Sequence, residues 1–291
     1  QVGRQGGEDQ AVEAGVAVAV HELGGRGAPL VMSHAAGFHG LVFAPLAAHL
    51  ADRFRCLSFD GRGHGDTVLP PGVELDWPAL AADLLATVDG LGLDRPLAFG
   101  HSSGGTVVLL AEQARPGTFG AIYCFEPVIV PADPPLGRDE ANWLAAAARR
   151  RRAAFASRGE AERHYASKPP LDALAPEARR AYVEHGFADV AGADGGGVRL
   201  KCRPEVEASV YEMATAHDAY GRLGEVACPV MVATGAASAG FLTEQAGVHA
   251  RRLPRGSCEV IDGVGHFGPL ERPGAVARAV RRFFDRQGVV R

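Results

Sequence analysis

Hydrophobic side chains recur along the 291 residues with two different periods, and the changes of period divide the chain into elements. Between Ala11 and Glu22, Val12, Ala14, Val16, Val18 and Val20 alternate with other residues around a break at Gly15, which predicts an edge strand or a hairpin. Leu30-Val31-Met32-Ser33 predicts a short buried strand, residues 41–51 a helix with Leu46 and Leu50 at helical spacing, and Phe54 to Phe59 another strand. A helix from Trp77 to Leu91 starts behind Asp76, a capping residue, with Pro78 in its first turn. Pro96 to Phe99 reads as a strand, Thr106 to Ala114 as a helix with a broad apolar face, and Ala121 to Phe125 as a strand. Strands and helices in this rhythm predict an α/β chain with a mainly parallel sheet covered by helices on both faces. Ligands of such sheets sit beyond the carboxyl ends of the strands. His34, Asp60, Ser102 and Glu126 all fall at or just after such ends, and they are expected to gather along one edge of the sheet.

From Val128 to Ala219 the alternation stops. Alanine- and arginine-rich helical stretches replace it, separated by prolines and by the loop Ala193-Asp194-Gly195-Gly196-Gly197. We expect a mostly helical cap over residues 128–219, inserted into a core made of residues 1–127 and 220–291. Its large side chains include Trp143, Phe155, Tyr165, Tyr182, Phe187, Tyr211 and Met213, of which Trp143, Tyr165 and Tyr211 are the candidate substrate contacts. The competing expectation is cap helix packed on cap helix. Alternation returns with the strand Pro229 to Thr234, a helix near Leu242 to Ala250, the strand Cys258 to Ile261, the loop Asp262 to Phe267 and an amphipathic helix from about Gly274 to Arg286. No internal repeat is visible.

Composition narrows the classes of function. A net charge of -4 and a pI near 6.3 argue against a general attraction to nucleic acid. The basic run Arg149 to Arg152 lies in alanine-rich, helix-prone sequence and reads as a solvated helix face rather than a phosphate site. Cys56, Cys124, Cys202, Cys228 and Cys258 are scattered without C-x-x-C spacing, which argues against a disulfide framework and against zinc. Cys56, Cys124 and Cys258 fall in or beside apolar strands, where a reduced thiol acts as a small buried hydrophobe, so a reducing, cytoplasmic compartment is expected. No apolar run approaches the roughly 18 residues of a membrane span. Gln1 to Gly7 lacks the core of a signal peptide and reads as a loose tail. The expected partner is a small molecule, with no nucleic acid and no membrane, and the oligomeric state stays open.

Candidate chemistry enters at Gly100-His101-Ser102-Ser103-Gly104-Gly105, which fits G-x-S-x-G. That pattern is a sharp strand-to-helix turn that lifts a serine hydroxyl above the end of a parallel sheet. In a chain with 38 glycines the bare pattern is weak, but here a predicted strand precedes it and a predicted helix follows. A Cβ at position 100 or 104 is expected to collide with the neighbouring strand or helix. A serine hydroxyl is a poor nucleophile at neutral pH and needs a base within hydrogen-bond reach, and imidazole suits that task. His266, after the last strand and between Gly265 and Phe267, is the candidate.

In this order the features resemble the α/β-hydrolase superfamily over nearly the whole chain. The matching segments are His34 with its following loop, Asp60-Gly61-Arg62-Gly63-His64-Gly65, the elbow at Ser102, and Gly265-His266-Phe267 with Glu271-Arg272-Pro273 behind it. The order serine, acid, histidine agrees with that fold and differs from chymotrypsin-like and subtilisin-like proteases. The resemblance implies an α/β-hydrolase fold: a mainly parallel eight-stranded sheet with helices on both faces and an inserted helical cap. The usual acid follows the strand that matches Val230 to Thr234, but the loop there, Gly235-Ala236-Ala237-Ser238-Ala239-Gly240, holds no carboxylate, and Ser238 occupies its slot. Glu126, directly after the strand that follows the elbow and 24 positions beyond Ser102, is the substitute. Zearalenone lactonases and some haloalkane dehalogenases are similar in taking their acid from this strand end. Asp262 is the rival, and Glu126 paired with a cap arginine is the other reading. Glu271, His64 and the turn around it are expected to be structural.

An oxyanion needs backbone N–H donors. Ser103 is expected to give one and, by resemblance, Ala36 the second, with Ala35 standing where the family commonly has glycine. His34, Ala35 and His101 complete the candidate substrate contacts, His101 diverging from Ser102. Nothing in this set requires a metal or an organic cofactor. The chemistry expected is that of a serine hydrolase cleaving an ester or lactone of a small to medium, largely apolar substrate through an acyl-enzyme, with zearalenone-type lactone hydrolysis suggested by analogy alone. Two alternatives remain: the same triad used for carbon–carbon bond hydrolysis, acyl transfer or cyclisation, and a non-catalytic ligand-binding protein on the same fold.

Overall fold

The computed structural model describes residues 3–5, 8–13, 15–130, 138–191, 196–238 and 241–288. Three strands open the chain as an antiparallel meander, β1 (Gly3–Gln5), β2 (Glu8–Glu13) and β3 (Val16–Gly24). Alternating strands and helices follow: β4 (Ala28–Ser33), α1 (Ala44–Ala48), β5 (Phe54–Phe59), α2 (Trp77–Gly90), β6 (Leu97–His101), α3 (Ser103–Ala114) and β7 (Ala121–Phe125). Next come α4 (Arg138–Arg150), β8 (Ala154–Phe155), α5 (Arg158–Ala166), α6 (Pro176–Gly186), β9 (Phe187–Val190), β10 (Gly197–Leu200) and α7 (Pro204–Glu212). The chain then returns through β11 (Val230–Gly235), α8 (Phe241–Arg252), β12 (Gly256–Ile261), α9 (Gly268–Glu271) and α10 (Pro273–Arg286).

The central sheet runs β1-β2-β3-β5-β4-β6-β7-β11-β12. From β5 to β12 all neighbours are parallel, while β3 joins β5 antiparallel. Strand order reverses at β4, with β5 on one side and β6 on the other, and such a switch point opens a crevice at the carboxyl ends. Register brings those ends level: Ser33 pairs with Gly100, His101 with Phe125, and Phe125 with Ala233.

Side chains on the parallel strands alternate between two cores. Leu30, Met32, Leu97, Phe99, Tyr123 and Met231 face one layer with Leu46, Val280 and Phe284. Val31, Ala98, Ile122, Val230 and Val232 face the other, with Leu84, Val88, Val108 and Leu253. A sheet buried on both faces explains why these strands read as continuous apolar runs. Asp76 caps α2 as its sequence suggests, its side chain accepting from the Ala79 N–H at 2.7 Å.

Three expectations need correction. Among the described residues the sheet has nine strands rather than eight, because residues 3–5 of the expected loose tail pair with β2. The helix expected over residues 41–51 is a 3-10 turn, Gly40–Phe43, followed by the five-residue α1. Pro45 has no N–H with which to close a bond into the preceding turn. The mostly helical stretch between β7 and β11 also holds strands: β8, β10 and β9 form a small antiparallel sheet in which Val198 and Leu200 point inward and Arg199 outward. Cys258 is exposed rather than buried, since β12 is an edge strand; the other four cysteines are buried. Residue 14, residues 193–195 of the glycine loop and residues 239–240 of the loop after β11 lie outside the described residues.

Candidate active site

Ser102 stands between β6 and α3 with φ 55° and ψ -123°, a left-handed conformation that non-glycine residues rarely adopt. The surrounding glycines permit it. A Cβ on Gly100 would lie 2.5 Å from Gly105 Cα, and one on Gly104 would press into the carbonyl oxygens of Ser33 and His34. The Ser102 N–H donates to Phe125 O at 2.9 Å, so the elbow is tied to the neighbouring strand.

Glu126 follows β7 with φ 47°, a second strained residue, and its N–H donates to Ala233 O at 2.8 Å. Such outliers persist when their surroundings over-determine them, and they concentrate at functional sites. The surroundings here are specific. Glu126 Oε1 accepts from Thr234 Oγ1 at 2.7 Å and from the Gly235 N–H at 2.9 Å, while Oε2 accepts from His266 Nδ1 at 2.6 Å. Burial disfavours the charged form, but the bonds from His266, Ser238 and Gly235 outweigh it and hold the carboxyl down at about 2. On its other side His266 Nε2 accepts from Ser102 Oγ at 3.2 Å. The structure thus brings Ser102, His266 and Glu126 into one hydrogen-bonded line. The rival Asp262 is exposed. Glu271 accepts from the Gly265 N–H at 2.7 Å and from the Phe267 N–H at 3.1 Å, on both sides of His266.

Above β4 and β5 the loops are held by buried polar groups. His34 donates from Nδ1 to Ala35 O and accepts the Gly61 N–H at Nε2, at 2.8 and 3.0 Å. Burial lowers its pKa to about 4 against the pull of Asp60. Asp60 accepts from the N–H groups of Gly40 and Asp66, and Arg62 pairs with Asp83 on α2 with both side chains buried. Removing one partner of such a pair costs about 3–5 kcal/mol. His64 donates to Arg62 O, in keeping with a structural turn. The Ser103 N–H sits at the first position of α3, where a helix offers no internal acceptor. The Ala36 N–H donates to Ser103 Oγ at 2.8 Å, so the two expected oxyanion donors are adjacent and one of them is engaged by a side chain.

The segment between β7 and β11 reaches these loops. Glu207 of α7 lies against Gly37, Val206 against Gly63, and Tyr182 of α6 packs its ring 5.1 Å from Phe38. Arg151 binds Glu207 and, at 2.5 Å, the Tyr182 hydroxyl. Of the expected substrate contacts, Trp143 is 65% exposed on α4, which packs on α7 through Ala145 and Ala148. Tyr165 is buried among Phe155, Tyr182 and Phe187, and Tyr211 packs with that alanine cluster. Both therefore join segment to segment. His34 and His101 are buried with side chains bonded to backbone, and Ala35 lies in the core beside Phe38. Thr234 went unnoticed in the sequence; its signal was its place at the end of the strand that pairs with β7. Among the described residues no three His, Cys, Asp or Glu side chains are grouped to hold a metal ion, and no helix is long and apolar enough to cross a membrane.

Residues 30–279 match the α/β hydrolase family, and the chain belongs to it. A curated relative, a pimeloyl-[acyl-carrier protein] methyl ester esterase of Methylococcus capsulatus, is 34% identical over 105 residues, 35% of this chain and 37% of that protein. The mouse protein phosphatase methylesterase 1 is 30% identical over 101 residues, 33% of this chain and 26% of that protein, so the matched region spans about a third of these relatives. Among solved structures, an E-2-(acetamidomethylene)succinate hydrolase superposes with a TM-score of 0.81 at 22% identity, covering 96% of this chain and 98% of the other. At that identity the likeness is one of fold.

Proposed function

We propose that this protein is a serine hydrolase that opens an ester or lactone through an acyl-enzyme, with residues 128–219 capping the site. The observation that carries the reading is the line of bonds from Ser102 through His266 to Glu126, 3.2 Å and 2.6 Å long. Ser102 Oγ attacks the carbonyl carbon while its proton passes to His266 Nε2. Glu126, accepting from Nδ1, fixes the tautomer and balances the imidazolium. The negative carbonyl oxygen is held by the Ser103 N–H and by the Ala36 N–H, which Ser103 Oγ must share or release. The tetrahedral intermediate collapses, the leaving alcohol takes the proton from Nε2, and the acyl group stays on Ser102. Water then repeats the sequence, giving its proton to Nε2, and the free acid departs as Ser102 is regenerated. A lactone leaves a hydroxy acid as its only product. Phe267, whose half-buried ring lies 5.2 Å from that of His266, supports an apolar substrate.

A fluorophosphonate probe read by intact mass tests the assignment. One adduct on the wild-type protein and none on a folded Ser102→Ala variant is the expected result. A folded wild type that takes no label would leave a ligand-binding protein without this chemistry.

A further inference from the structure

His266 sits on a loop and is 32% exposed at its side chain, so its backbone needs anchors if the imidazole is to stay between Ser102 and Glu126. Glu271 supplies two of them, taking the N–H groups of the residues on either side. A third comes from the opposite direction. His101 Nε2 bonds His266 O at 2.8 Å, joining the residue just before the nucleophile to the backbone of the base. The His101 ring is 1% exposed, lies 5.2 Å from the His266 ring, and meets Phe125 and Phe267 edge-on.

We propose that His101 is a positioning residue for the hydrolytic reaction: its Nε2–H ties the His266 carbonyl to the elbow and so sets the reach of His266 Nε2 to Ser102 Oγ. This rests on Ser102 and His266 being nucleophile and base. A carbonyl oxygen only accepts, so Nε2 of His101 carries the proton and a neutral ring leaves Nδ1 bare. Neutrality matters because His266 becomes an imidazolium during each turnover, and a second positive ring at this distance would oppose that charge. Burial first, then the neighbouring His266, lower the His101 pKa to about 3, while the bond to His266 O and the Glu126 charge oppose them. A lysine or arginine would bring a charge. Glutamine would not, and its amide nitrogen reaches about as far from Cα as imidazole Nε2, whereas asparagine falls short and leucine has no donor.

The test compares wild type with His101→Leu, His101→Asn and His101→Gln, each checked for folding by its melting temperature. The readouts are the rate of fluorophosphonate labelling at Ser102, kcat and KM on p-nitrophenyl acetate, and the downfield Nδ1–H proton resonance of His266. His101→Leu and His101→Asn should lower labelling rate and kcat ~10- to 100-fold with KM within about twofold, and shift or broaden the resonance. His101→Gln should return all three to near wild type. If His101→Leu fails to fold, the contrast of glutamine with asparagine decides alone. Folded leucine or asparagine variants that label, turn over and resonate as wild type overturn the proposal. A wild type that neither labels nor turns over sinks the hydrolase reading instead, and the two failures are thereby separate.

Discussion

In the proposed mechanism two adjacent strand ends, those of β7 and β11, divide between them what the family usually concentrates at one. The end of β7 carries the carboxylate, Glu126. The end of β11, where the family's usual acid stands, carries Thr234, Gly235 and Ser238, all of which act on Glu126. Because the strands are parallel neighbours with Phe125 level with Ala233, a carboxylate from either lies within reach of the same imidazole. The loop without an acid is therefore not idle. It has become the holder of an acid supplied next door, and it sustains a backbone at φ 47° that would otherwise relax.

Removing the carboxylate breaks this division most severely. Glu126→Gln keeps the shape but offers an amide where His266 Nδ1–H needs an acceptor, and kcat should fall by ~10³- to 10⁴-fold, as triad acids generally require. Asp262→Asn, on the exposed rival, should change kcat by less than about twofold. Steady-state kinetics on p-nitrophenyl acetate reads both, and the reverse pattern would move the acid to Asp262. Thr234→Val probes the other strand end. It removes a 2.7 Å donor from Glu126 Oε1 without changing volume much. A lost bond to a buried charge is worth about 1.5–3 kcal/mol, of which the share reaching the transition state should lower kcat ~10-fold. A kcat equal to wild type would make the Thr234 hydroxyl a bystander and leave the holding of Glu126 to Gly235 and Ser238.

This contrast also explains what the sequence could tell. The elbow, the Asp60 turn and the His266 loop are local patterns, because a strained turn or a close backbone approach restricts which residues fit within a few positions. β7 and the cap of α2 were legible for the same reason. Thr234 and His101 were not, because their roles depend on partners 108 and 165 residues away, reached only once the sheet is assembled. Trp143 was named for its aromatic character alone, which does not say which face of a helix turns inward. β1 was invisible because a glycine and two polar residues carry no period.

Charge on the acid side is set against neutrality beneath the site. Glu126 stays ionised through its donors, whereas burial keeps His34, His39 and His64 neutral, lowering each from an ordinary 6.5 to about 4, and His101 to about 3. Unfolding frees these histidines to bind protons, so between pH 6.5 and 4 the unfolded state holds more protons than the folded one and stability falls as pH falls. Glu126 adds a further loss only lower, between about 4.5 and 2, as its carboxylate is protonated. Denaturant midpoints should be flat above pH 7 and decline steadily from 6.5 to 4. A flat profile down to pH 4.5 would mean these rings bind protons as readily in the folded protein as in the unfolded one.

The smallest effect is expected on the oxyanion side, and it sharpens the comparison by asking whether that side too has a holder. Ser103 Oγ accepts the Ala36 N–H at 2.8 Å, so the hydroxyl either steadies the loop or competes with the oxyanion for its donor. Competition is the better account. The loop already has His34 bonded to Ala35 O and Gly61 N–H, and it needs no further tether. Ser103→Ala leaves the backbone N–H of residue 103 in place and frees that of Ala36. The expected outcome is a rise in kcat of about two- to threefold and a matching gain in affinity for a boronic-acid transition-state analogue, because the donor then meets the developing charge without first exchanging partners. A tenfold fall in both would show instead that the Ser103 hydroxyl does for Ala36 what Thr234 does for Glu126.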